Sequence, residues 1–409
     1  MSGSNSSAPL LGLDRLPYHR RLVEFLKRTD REVWDWFARR GSEEKAAENV
    51  KFELLKATYR VERDTQPALY EMADEVAAHL GVVAPVTIYQ AQNPIGLNAS
   101  LFYAPGHVHL VLHGAITAQL TPVEVRALLG HELAHYHLLH SHGGDLLTAQ
   151  SMLAAVASDN RSHSAYASSS RLAQLYSEIF CDRGAFVVTG DLLSVVSMLA
   201  KISTGVSEVS AEGYLRQADE IFAKEDASTA EISHPESFIR ARAVKLFAEV
   251  GSAADGPVAQ MIEGAPGLTE LDLLSQQRVS EATRRLLDAL LCRKWFQSDL
   301  TLAHARLYFE DYAPPEDLLE DRELANSVQA WSDSLRDYYC FVLLDFASAD
   351  RDLDEAPLAA TLSVAEQLGV KPRFMELARQ ELKLRKNQVE KIDEQKEALL
   401  AAADRAALT

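Results

Sequence analysis

The chain has 409 residues, 24% of them charged, and a net charge of −18. So acidic a surface argues against a general binder of nucleic acid or anionic membrane, which needs positive charge. The length exceeds what one hydrophobic core serves, so two or three domains are expected.

Residues 1–11 are polar and Ser-rich. They lack the basic and apolar regions of a signal peptide and read as disordered. Residues 12–64 read as N-terminal helices packing on a domain that begins near residue 65. Helical spacing continues through PALYEMADEVAAHLG to Gly81, so 17–80 as a whole is expected to be helical. Residues 76–123 contain no Asp, Glu, Lys or Arg, but Pro85, Pro94, Gly96, Pro105 and Gly106 interrupt them. That pattern predicts buried sheet and loops, with no integral membrane segment. Short β-rich runs stand at 84–90, 98–105 and 107–114, the last two meeting at Gly106 as a hairpin.

Thr121, Pro122 and Glu124 then form a capping box, which opens a helix through Val125, Leu128, Leu129, Leu133 and Leu138. Residues 158–171 read as a polar loop, followed by a second apolar helix over 172–190 that stops at Gly190. The Gly/Ala/Pro-rich stretch 251–268 reads as a linker, and 269–409 as an all-helical accessory domain. Cys181, Cys292 and Cys340 show no C-x-x-C spacing. They suggest neither a disulfide framework nor a zinc knuckle, and a cytoplasmic location fits.

The helix opened by Thr121 contains GHELAHYH, residues 130–137. His131 and His135, four apart on one helical face, can reach a single ion, and Glu132 between them can hold a water on it. Catalytic zinc needs a third protein ligand and an open fourth position. The helix over 172–190 offers Glu178, with Asp182 one turn later, among Leu175, Ile179 and Phe180. Carboxylates buried there need partners, and a metal supplies one. Asp182 would then orient a ligand histidine. Gly184 and Ala185 would let the two helices approach closely. His107, His109, His113, His137, His140 and His142 read as sheet, surface or loop groups.

These residues resemble the gluzincin metallopeptidases of the HtpX heat-shock protease and CaaX prenyl protease type. The resemblance covers roughly 65–250 and rests on NAS (98–100), GHELAHYH (130–137), EIFCD (178–182) and SHPESFIR (233–240). It implies a zinc metallopeptidase domain of zincin type over 65–250. His131, His135 and Glu178 would be the metal ligands, Glu132 the general base and Asp182 the orienting carboxylate. His234 and Arg240 would act in catalysis by steadying the oxyanion. Asn98, Ala99 and Ser100 would form a substrate-binding strand. HtpX and the prenyl proteases carry membrane helices, whereas here the interval between zinc motif and third ligand is short, which implies a soluble relative. Residues 337–382 are faintly similar to TerB-like helical modules.

The expected fold class is therefore α+β and mostly helical: a small mixed sheet and an active-site helix, then an all-α domain. The expected function is a zinc-dependent endopeptidase with one ion per chain, acting on peptide or protein substrates, with a protein partner for the C-terminal domain. The alternative is a zinc-containing pseudo-protease or a helical scaffold acting through partners. An intact Glu132 weighs against a purely structural site, which needs no base.

Overall fold

The computed structural model describes residues 13–40, 44–92, 96–104, 106–158, 164–224, 237–265, 267–316 and 322–407. Residues 1–11, expected to be disordered, lie outside that set. The chain divides into two units, Met1–Gly264 and Ala265–Thr409.

The first unit holds a mixed sheet of four strands, β1 (Thr58–Arg60), β2 (Val86–Ala91), β3 (Asn98–Ala104) and β4 (His107–His113), in the order β1-β2-β4-β3. β3 and β4 form the expected hairpin, in register from Asn98 opposite His113 to Ala104 opposite His107. β2 runs parallel to β4. Val108, Leu110 and Leu112 alternate onto one buried face, while Tyr89 and Val111 on the other pack against Leu54 of helix Glu44–Ala57. A strand buried on both faces cannot carry charge cheaply, which accounts for the uncharged run. β1 corrects the helical reading of 17–80. Three residues are too short to show a period of their own, and Tyr59 is held extended by pairing with Gln90 of β2.

The motif helix spans Pro122–His140 and starts on the expected capping box, with Thr121 and Glu124 each bonding the other's backbone N–H. Beside it packs helix Ser164–Thr189. That helix begins inside the stretch read as a loop. Ala165, Ser169, Leu172 and Ala173 are buried at helical spacing, so packing overrides the modest helix propensity of serine. The two helices touch backbone to backbone. A Cβ on Gly130 would lie 2.4 Å from Val188 Cγ2, and one on Gly184 would lie 2.5 Å from Ala134 Cβ. Only glycine permits this approach.

Most of the stretch read as a linker is also ordered structure. Gly251–Ala254 is a 3-10 turn and Asp255–Glu263 a helix, with Ala254, Val258 and Ile262 buried. In the second unit the core gathers Leu286, Phe296, Tyr339, Phe346 and Phe374. The last helix, Lys386–Ala406, packs one face inward. It buries Val389, Ile392 and Leu400, which are few but share one face. The fold is α+β and mostly helical. Among the described residues no helix is long and apolar enough to cross a membrane.

Candidate metal centre

One helical turn separates His131 from His135, and their ring centroids lie 5.0 Å apart. Glu178 comes from the neighbouring helix, brought close by the Gly130–Gly184 contact. His131 Nε2 is 3.5 Å from Glu178 Oε2, and His135 Nε2 is 3.6 Å from Glu178 Oε1. Donor atoms about 2.0–2.1 Å from an ion at tetrahedral angles stand about 3.4 Å from one another. Two imidazoles and a carboxylate at this spacing therefore fit zinc, and among the described residues they are the cluster able to hold a metal. Burial pulls the His135 pKa down to about 4, so its imidazole is neutral and free to ligate at pH 7.

Asp182, one turn beyond Glu178, places Oδ1 3.0 Å from His131 Nδ1. Burial would raise its pKa, but the charge and hydrogen bonds of Arg240 outweigh that and hold it at about 2. An ionised carboxylate only accepts, so Nδ1 carries the proton and Nε2 keeps its lone pair for the ion. Arg240, from helix Ser237–Val250, donates from Nε to Asp182 Oδ2 at 2.8 Å and from Nη2 to Asp182 Oδ1 at 2.7 Å. Its Nη1 lies 3.2 Å from Glu178 Oε2. All three guanidinium nitrogens thus face the two carboxylates.

Glu132 is buried, and burial pushes its carboxyl up to about 7. It opens onto a cleft of about 610 Å³ shared with His131, His135, Glu178 and Arg240. Asn98, Ala99 and Ser100 of the edge strand β3 line one side. Met198, Leu199 and Ile202 of helix Leu192–Thr204 line another. His234 lies outside the described residues.

Sequence reasoning did not find the partnerships that brace this site. Arg15 donates to the carbonyls of Leu138 and Ser141, closing the end of the motif helix after His135. Lys201 donates to Glu124 at 2.8 Å, tying the helix that carries Met198 and Ile202 to the cap of the motif helix. Arg183 donates to Asp255 at 2.7 Å and lies over the Phe247 ring, joining three helices. None of these pairs has a diagnostic spacing in the chain. Of the other histidines, His109 is buried with Nδ1 3.2 Å from Tyr89 Oη, and His137 stacks on Phe180.

No family model and no solved structure matches the chain. Over 210 residues it is 27% identical to a protein named plastoglobule-localized metallopeptidase 48, chloroplastic, of Arabidopsis thaliana. That match covers 47% of this chain and 60% of the relative's length. The chain is thus similar to a metallopeptidase and carries a His-His-Glu cluster compatible with zinc.

Proposed function

We propose that the chain is a zinc-dependent endopeptidase, with His131, His135 and Glu178 holding one ion and Glu132 acting as general base. The observation that supports this best is the buried Glu132 beside a zinc-type donor set in one open cleft. When bound, the ion lowers the pKa of a water toward about 7 and polarises the scissile carbonyl. Glu132 would take a proton from the attacking water and pass it to the leaving nitrogen. Asp182 fixes the tautomer of His131. Arg240 is a positioning group rather than the oxyanion donor its motif suggests, because its nitrogens already hold Asp182 and Glu178. By its resemblance to the family's His-Pro motif, His234 would be the oxyanion donor. An extended substrate would pair with the edge strand at Asn98, Ala99 and Ser100 and lie along the cleft. Cys181, Cys292 and Cys340 are buried free thiols, in keeping with a cytoplasmic setting.

Replacing Glu132 by Gln tests the reading. The variant should bind zinc as tightly as the parent and lose at least about a hundredfold in kcat on a generic peptide. Undiminished turnover would remove Glu132 as the base.

A further inference from the structure

The cleft has a wall that the metal chemistry does not use. Helix Leu192–Thr204 packs along the motif helix and brings Met198, Leu199 and Ile202 to the cleft, where Leu128 of the motif helix joins them. Leu128, Met198 and Leu199 are buried, and Ile202 is partly exposed at the rim. The charged side chains that line the cleft, Glu132, Glu178 and Arg240, all belong to the metal centre. This wall adds none. Ser203 is the polar side chain that the helix sends to the cleft, and its hydroxyl donates back to the Ala200 carbonyl at 3.2 Å.

The wall is also held in place. Ser197 and Lys201 stand one turn apart, and both donate to the Glu124 carboxylate, Lys201 at 2.8 Å. That carboxylate is buried and accepts from the Thr121 N–H as well. Met198 and Ile202 each follow one of these donors in the chain, so they lie about 100° further round the helix. A helix gripped at two successive turns resists rolling, which keeps its apolar face turned to the cleft.

We propose that this wall is a subsite for one large aliphatic or aromatic side chain of the substrate, with Ile202 as the residue that sets the preference. The proposal deepens the peptidase reading and rests on it. A charged side chain placed there would lose water and gain no partner. An apolar one would bury its surface against Leu128, Met198 and Ile202. Because the wall and Glu132 line one cleft, the side chain held by the wall sets which peptide bond lies beside the base.

The test uses the full chain and labelled peptides of Ala and Ser that carry one guest residue: Leu, Phe, Ala, Lys or Glu. Binding is read by fluorescence anisotropy on the Glu132→Gln chain, and cleavage of the same peptides by the parent is read by mass spectrometry. Leu and Phe guests should bind, and be cut, at least about tenfold better than the others. Moving the Leu guest one position along the peptide should move the cut one position. Ile202→Lys should lower the Leu preference by at least about tenfold and favour the Glu guest over the Lys guest, with zinc content and circular dichroism unchanged. Cleavage without guest preference, or cuts that ignore the guest's position, would overturn the subsite and leave the peptidase reading standing. Equal binding of all guests, or none, would also overturn it, and an unchanged Leu preference in Ile202→Lys would remove Ile202 from the role. Leu-selective binding that Ile202→Lys reverses, with no cleavage by the parent, would uphold the subsite and refute the peptidase reading.

Discussion

Asp182 Oδ1 lies 3.0 Å from His131 Nδ1, while the same carboxylate takes two hydrogen bonds from Arg240. This one side chain therefore sets the tautomer of His131 and anchors the group that faces Glu178. Asp182→Asn keeps an acceptor for Nδ1 but removes the charge that balances Arg240. The zinc dissociation constant should rise about 10–100-fold, read by competition with a chromogenic chelator. An unchanged constant would leave Asp182 without this role.

The close helix contact has its own cost of change. In Gly184→Ala the new methyl would lie 2.5 Å from Ala134 Cβ, so the motif helix and the Glu178 helix must separate. Overpacking of this kind destabilises by about 1–3 kcal/mol. Urea unfolding should show a lower midpoint at unchanged slope. A midpoint equal to that of the parent would mean the helices have room to spare.

His19 gives the fold a pH dependence. It is fully buried, its Nε2 lies 3.2 Å from the Ala173 carbonyl, and burial pulls its pKa down to about 4 from the usual 6.5. Between those values the unfolded chain binds a proton that the folded chain does not. The stability from this group is therefore complete above pH 6.5 and falls as the pH drops toward 4. The loss is about 1.4 kcal/mol per pH unit inside that window. His19→Gln keeps a donor for Ala173 and removes the titration. Its stability should fall by about 2 kcal/mol less than that of the parent between pH 7 and pH 5. Equal pH dependence in the two proteins would exclude His19 as a source.

The metal cluster and the sheet lie in the first unit, and helix Asp255–Glu263 packs there as well. A chain cut after Gly264 should fold, bind zinc and cleave a short generic peptide. Circular dichroism, metal analysis and a peptide assay read this directly. Loss of zinc from a well-folded truncation would make the helical unit part of the metal centre.

Much of this was legible in the sequence, for identifiable reasons. The motif helix announced itself through its capping box, and the hairpin through alternation and Gly106, because both signals are local. The start of the Glu178 helix was hidden, since Ala165 and Ser169 are helical only through what they pack against. Helix Asp255–Glu263 was hidden by its glycine and proline; Pro257 sits in its first turn, where a missing N–H costs nothing. Glu178 and Asp182 stood out as carboxylates in an apolar helix. The grip of Arg240 on both of them did not, because it joins residues far apart in the chain and depends on how two helices cross.

The proposed chemistry stands or falls on His131, His135 and Glu178 holding zinc together. Metal analysis of the purified parent, set beside Glu178→Ala and His135→Ala, decides the matter. About one zinc per chain is expected in the parent, with a sharp loss of zinc from both variants, each still folded by circular dichroism. Full zinc retention in folded Glu178→Ala, or a parent that binds no zinc, would refute it.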